Sequence, residues 1–204
     1  MGLCYQNIHN KILIKSNEFP IIKKEIERNG IIKIKDQDLD FFTFVTKTII
    51  SQQISDIVAS SIWNSLCDQF KSESMSIANF KNLTFLKKML KGLKISKQKK
   101  NYICSLYSAV LKNEIDGEKL KEMNENEVSS RMLKYKGIGL WTCNMALIFY
   151  FKKLNIFPNN DLIIKKMAVK LNLLEKKKIN FKSQFSPFLS IFSLHLWKMS
   201  KRVL

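Results

Sequence analysis

The spacing of apolar residues predicts helices along almost the whole chain. Phe19, Ile22 and Ile26 recur at helical intervals between Asn17 and Arg28, and Asn29-Gly30 stops that run. From Leu39 the pattern strengthens. Phe41, Phe42, Phe44, Val45, Thr48 and Ile49 predict an apolar helix that breaks at Ser51-Gln52-Gln53. Ser55 restarts the period, and Ile57, Val58, Ser61, Ile62, Ser65 and Leu66 carry it to about Phe70. Shorter helices are expected at Ile77–Phe80 and Leu83–Leu90, the latter ended by Gly92. Ser96 reads as the N-cap of Lys97–Leu111, with Ile103, Leu106, Tyr107 and Val110 as its buried stripe. Asn124 caps Glu125–Leu133, with Glu127 in the reciprocal capping-box position.

The last third continues in the same way. An apolar helix is expected from Leu140 to about Phe151. A second follows Asp161 on Ile163, Ile164, Met167, Val169 and Leu171, and a third runs from Phe188 to Val203 with Pro187 in its first turn. Residues 1–15 have mixed polarity and read as a short strand or a frayed end, and Ile31–Lys35 as a short extended piece. No other strand pattern is present, so the class is all-α. The expected architecture is a two-lobed helical array with a cleft between lobes. Residues from about 40 to 133 would form one lobe, and residues 1–39 with 134–204 the other.

Composition narrows the class. Of 204 residues, 46% are apolar and only 6 are Gly and 3 Pro, which fits a folded helical protein without low-complexity segments. Lys and Arg outnumber Asp and Glu by 35 to 17, a net charge of +18. A surplus of that size favours a polyanionic partner, because neutralised phosphates release counterions. Cys4, Cys67, Cys104 and Cys143 are too dispersed for a zinc site or an iron–sulfur cluster and read as reduced thiols. No basic stretch precedes an apolar block at the N-terminus, so no signal peptide is read. Met1-Gly2 begins like an acylation signal, but Gln6 stands where Ser or Thr is needed. The longest apolar run, Met145–Phe151, is too short to span a bilayer. The expectation is a monomer of the cytoplasm, associated with the nucleoid, with no membrane partner.

The chemistry concentrates between Lys134 and Lys166. The turn Lys136-Gly137-Ile138-Gly139 joins two helices. Its glycines are free to take positive φ, Ile138 plugs into the core, and the amides at the start of the second helix can hold a phosphate oxygen. Alone, a Gly-Ile-Gly turn is better read as an ordinary helix connection. Asp161, after a Pro-bearing loop, is by itself an ordinary N-cap.

The surrounding residues change that reading. Gly137, Ile138, Gly139, Trp141 and Thr142, with Asp161 twenty positions after Trp141, resemble the hairpin and essential Asp of the helix-hairpin-helix DNA glycosylase superfamily. Cys143 stands where the family pattern has Ala. The run Phe157-Pro158-Asn159-Asn160-Asp161 is similar to the Asp-bearing loop of the 3-methyladenine DNA glycosylase II branch. So are Ile49 to Ser55 to its I-x-x-Q-x-x-S segment, Leu194 to Trp197 to its L-x-x-W helix, and Gly92 to Tyr102 to its basic helix. The resemblance implies a monofunctional glycosylase that excises alkylated purines from double-stranded DNA by base flipping, in a minimal form without the branch's additional N-terminal domain. Asp161 would be catalytic, with Trp141, Trp197 and Met145 at the base pocket. Gln53 would enter the gap left by the flipped base. Gly137, Ile138, Gly139, Thr142, Lys134 and Lys136 would contact phosphates, with Lys97, Lys99 and Lys100 as further candidates. The resemblance further implies a sodium or potassium ion on the main-chain carbonyls of Leu133, Tyr135 and Ile138, and no required cofactor. Trp141 replaces the Lys that bifunctional relatives use as an amine nucleophile, so no lyase activity is expected. Two other readings stay open: a glycosylase for oxidised, deaminated or mismatched bases, and a non-catalytic DNA-binding hairpin protein.

Overall fold

A computed structural model describes residues 4–70 and 75–204. The reading of Met1-Gly2 lies outside those residues. Every regular element among them is helical, and none is long and apolar enough to cross a membrane. The chain divides into two compact units: Asp36–Phe151, and the segment up to Lys35 together with Lys152–Leu204.

The larger unit is built on α3 (Phe41–Ser51), which is apolar on nearly all sides and therefore buried on nearly all sides. Phe42 meets Phe80 and Tyr107 edge-on, at ring centroid separations of 5.4 Å each. These contacts fasten a 3-10 turn at Ile77–Phe80 and α6 (Lys97–Leu111) to α3. Around them lie α4 (Asp56–Asp68), α5 (Leu83–Lys91), α7 (Gly117–Lys121), α8 (Glu125–Met132) and α9 (Leu140–Met145). The helix starts follow the sequence closely. Asp40, Ser55, Asn82, Ser96 and Asn124 each accept a first-turn amide, and Asn124 with Glu127 closes the expected capping box. Such caps contribute about 1 kcal/mol each. After Met145 the helix widens into a π turn over Ala146–Tyr150, closed by Phe151 N–H to Ala146 O at 2.9 Å.

The other unit contains α1 (Tyr5–Lys15), α2 (Pro20–Asn29), α10 (Leu162–Leu174), α11 (Phe181–Phe185) and α12 (Leu189–Val203). α12 packs on α2 and α10, and Phe185 stacks on Phe192 at 3.7 Å.

Several expectations are corrected. The N-terminal segment is a helix rather than a strand or a frayed end: Ile8, His9 and Ile12 form its buried face. The contiguous Ile12-Leu13-Ile14 imitates a strand, yet Ile14 is exposed. Residues 31–35 form no strand. In α6, Ala109 takes the buried place given to Val110, and in α10 Val169 is 61% exposed. Pro187 precedes the cap of α12 instead of entering its first turn. The hairpin turn belongs with the middle helices, not with the terminal ones, because α9 packs on α3 and α8.

Candidate functional site

The hairpin lies between α8 and α9. α8 ends at Met132, Ile138 is buried, and its N–H donates to Tyr135 O at 3.1 Å, closing the turn from within. Gly137 has φ +91, and a Cβ there would run into the Tyr102 ring, so glycine is required twice over. Gly139 differs from expectation: its φ of −91 is open to any residue, and nothing lies within 4 Å of where a Cβ would stand. It is the N-cap of α9 and offers no side-chain acceptor. Gly139 and Leu140 are exposed, as are Lys134 and Lys136. The start of α9 therefore presents amides and nearby positive charge to solvent, which suits a phosphate.

Thr142 is not at this surface. It is 1% exposed, and its hydroxyl accepts from Gln52 Nε2 at 2.8 Å. The same amide group donates to Gly137 O at 2.8 Å. Gln52 thus binds the hairpin to the end of α3, a role the sequence reading gave to neither residue of the Gln-Gln pair. Gln53 is exposed and holds φ +58 at the break before α4, with exposed Ile54 and Ile57 beside it. Cys143 fills the expected alanine position, buried against Ser129 of α8 at 3.6 Å. Burial pushes its thiol pKa up, so it packs as a small neutral side chain.

Of the candidate lysines, Lys97 is exposed. Lys99 turns inward onto Ile50 O and Gln52 O, and Lys100 donates to Lys91 O at 3.2 Å. Trp141 is half-buried on α9, and Met145 is buried one turn later on the same helix. The three carbonyls at Leu133, Tyr135 and Ile138 belong to one short turn. Tyr135 O accepts one amide, which leaves its second lone pair for an ion. Neutral oxygen donors of this type fit a hard monovalent cation.

In the other unit, a tight turn delivers Asp161: its N–H donates to Pro158 O at 2.9 Å, and Asn159 N–H to Phe157 O at 2.8 Å. Asp161 is the N-cap of α10, 8% exposed, and its Oδ1 accepts from Ile164 N–H at 2.9 Å. A second donor reaches the same oxygen. Trp197, half-buried on α12, donates from its indole Nε1 at 3.2 Å. Two donors on one oxygen orient the carboxylate. The sequence offered Trp197 as an aromatic face only; nothing in the spacing of residues 36 apart announced its bond to Asp161. His195, two residues earlier on the same helix, is buried, and Asn29 Nδ2 lies 3.2 Å from its Nδ1. Burial pushes its pKa down to about 3, with neighbouring His9 and Lys198 adding to the shift, so it stays neutral.

Comparison with known proteins places these residues in context. Residues 46–187 match the HhH-GPD superfamily of base excision DNA repair proteins. A DNA-3-methyladenine glycosylase of Saccharomyces cerevisiae is 28% identical over 227 aligned positions, covering 92% of this chain and 74% of that protein. DNA-3-methyladenine glycosylase 1 of Schizosaccharomyces pombe is 26% identical, covering 76% and 70% respectively. The solved 3-methyladenine DNA glycosylase of Schizosaccharomyces pombe, in complex with abasic DNA, superposes with a TM-score of 0.75 at 22% identity, over 94% of this chain and 97% of that one. An 8-oxoguanine glycosylase/lyase of Clostridium acetobutylicum with double-stranded DNA gives 0.77 at 18% identity, over 95% and 70%. One fold thus serves neighbours of different names, and specificity has to be argued from side chains.

Proposed function

Because the chain belongs to the HhH-GPD superfamily of base excision DNA repair proteins, we propose that it is a monofunctional DNA glycosylase that removes alkylated purines, 3-methyladenine and 7-methylguanine in type, from double-stranded DNA. The observation that carries this reading is a buried, doubly oriented Asp161 in a chain whose hairpin bears Trp141 where an amine nucleophile would stand.

The chemistry follows from the charges. A purine alkylated at N3 or N7 is cationic, so it leaves with the electrons of the glycosidic bond as a neutral free base and needs little acid catalysis. Positive charge then develops on the sugar at C1′. The ionised Asp161 stabilises that charge and accepts a proton as water adds to C1′, giving an abasic sugar. With no amine at position 141, the reaction ends there without strand cleavage. Trp197, whose indole meets Asp161, offers a π-face to a cationic base, a preference worth ~1–3 kcal/mol per stacked base. In the larger unit, Trp141 offers another such face, with the polarizable Met145 one turn later on the same helix.

DNA is engaged through the exposed Gly139 and Leu140, flanked by Lys134 and Lys136, while Gly137, Ile138 and Thr142 shape the turn from inside. Carbonyls of Leu133, Tyr135 and Ile138 would hold a monovalent cation, which adds local positive charge beside the phosphate. Gln53, with exposed Ile54 and Ile57 next to it, enters the minor groove and fills the gap left by the flipped nucleotide. The protein acts as a monomer on DNA containing damaged bases.

The test is free-base release from a panel of duplexes bearing 7-methylguanine, 3-methyladenine, 8-oxoguanine, uracil or a mismatch. Methylated purines should be released without strand nicking. Preferred release of an oxidised or deaminated base would replace the substrate class, and salt-dependent binding with no release at all would leave only a DNA-binding hairpin protein.

A further inference from the structure

The turn that carries Gln53 is held from behind. α3 ends at Ser51, Gln52 leaves the helical conformation at φ −57 and ψ 130, and Gln53 follows at φ +58. A left-handed conformation is strained at a non-glycine residue and persists only where neighbours enforce it. Lys99 in the first turn of α6 does so. Its Nζ donates to Ile50 O at 2.8 Å and to Gln52 O at 2.7 Å. Both carbonyls belong to the C-terminal end of α3, where backbone acceptors lack helical partners and the helix end attracts a cation. Burial holds the Lys99 ammonium below the ordinary lysine range. Gln52 ties the other side, with its side chain on Gly137 O and Thr142 Oγ1.

We propose that Lys99 is a positioning residue that sets the Gln53 turn for insertion into DNA, acting through Ile50 O and Gln52 O without touching DNA itself. The proposal rests on the reading of Gln53 as the inserted side chain. It separates Lys99 from the exposed Lys97, Lys134 and Lys136, whose ammonium groups face solvent. A phosphate-binding lysine must present its charge outward, whereas Lys99 directs two of its three protons to carbonyls. Its removal leaves both carbonyls without their donor and lets the turn relax from φ +58. Trapping of the flipped nucleotide suffers, while electrostatic attraction to DNA does not.

The experiment is a double-mutant cycle on the full chain with a 7-methylguanine duplex, reading single-turnover base release and the salt dependence of binding to abasic duplex. Lys99→Met should lower release about tenfold and leave the salt slope unchanged, whereas loss of a phosphate contact reduces that slope by about one. In a Gln53→Ala background Lys99→Met should add less than a twofold loss. Additive losses, or a slope reduced by about one, would overturn the positioning role. Wild-type release by Gln53→Ala alone would instead remove the assignment of Gln53, and the proposal with it. If Lys99→Met does not fold, Lys99→Gln, which removes the charge but keeps amide donors on a shorter side chain, goes through the same cycle with the same criteria.

Discussion

Two helix starts in this molecule solve the same problem in opposite ways. Both α9 and α10 begin with backbone amides that the helix cannot satisfy. At α10 the chain supplies its own acceptor, Asp161, whose Oδ1 takes Ile164 N–H and Trp197 Nε1–H. At α9 the cap is Gly139, which brings no acceptor and stays exposed. The first arrangement stores a negative charge in a buried place where charge is expensive. The second leaves a positive end for an anion from outside. In the proposed reaction these become the chemical group and the binding group, and the difference lies in one residue at an equivalent position of each helix.

That comparison can be broken from either side. The largest effect is expected at α10. Asp161→Asn keeps an N-cap of nearly equal quality, so the fold should hold, while base release should fall by on the order of 10³-fold as the charge at C1′ loses its counterpart. Circular dichroism and single-turnover release check both halves. The converse change makes the start of α9 resemble that of α10. Gly139→Asp meets open space and an ordinary φ, so melting temperature should be unchanged or raised. A carboxylate about 4 Å from a phosphate repels it by roughly 1–4 kcal/mol, which predicts at least about a fivefold loss of affinity for DNA at low salt. Fluorescence anisotropy with abasic duplex measures it.

The smallest effect lies at His195, buried on α12 two residues before Trp197. His195 has a folded-state pKa of about 3, below its unfolded value near 6.5. Between those values the unfolded chain binds a proton that the folded chain refuses. Its contribution to stability is therefore complete above about pH 6.5 and is lost as pH falls toward 3. The slope is at most about 1.4 kcal/mol per pH unit for one proton. His195→Asn should flatten the acid side of a melting-temperature profile between pH 4 and 6.5, and an unchanged slope would show that another group governs it.

The sequence made these features legible to different degrees. Caps are local, so the starts of α4, α6, α8 and α10 were readable from Ser55, Ser96, Asn124 and Asp161. The Ile77–Phe80 turn was readable too, but two other short helices were not. α7 and α11 have five residues each and bury too few side chains to show a period. α1 was hidden because its buried face includes His9 and its three consecutive apolar residues, Ile12-Leu13-Ile14, mark no helical period. Within the candidate site, the hairpin and Asp161 carried recognisable spacing. The bonds that position them did not: Lys99 to Gln52, Gln52 to Gly137 and Trp197 to Asp161 join residues far apart in sequence, and pairwise bonds at such separations leave no periodic trace. Directions were misassigned at Thr142, which is buried against Gln52, and at Lys99, where a basic helix face suggested phosphate and the fold turned the ammonium inward.

The most direct test of the central claim measures base release at saturating DNA and affinity for abasic duplex on Asp161→Asn and Gly139→Asp side by side. The account predicts a crossed result: Asp161→Asn binds like the wild type and does not release base, while Gly139→Asp binds weakly and releases base at a near-normal rate once saturated. Parallel loss of both properties in both variants would contradict it.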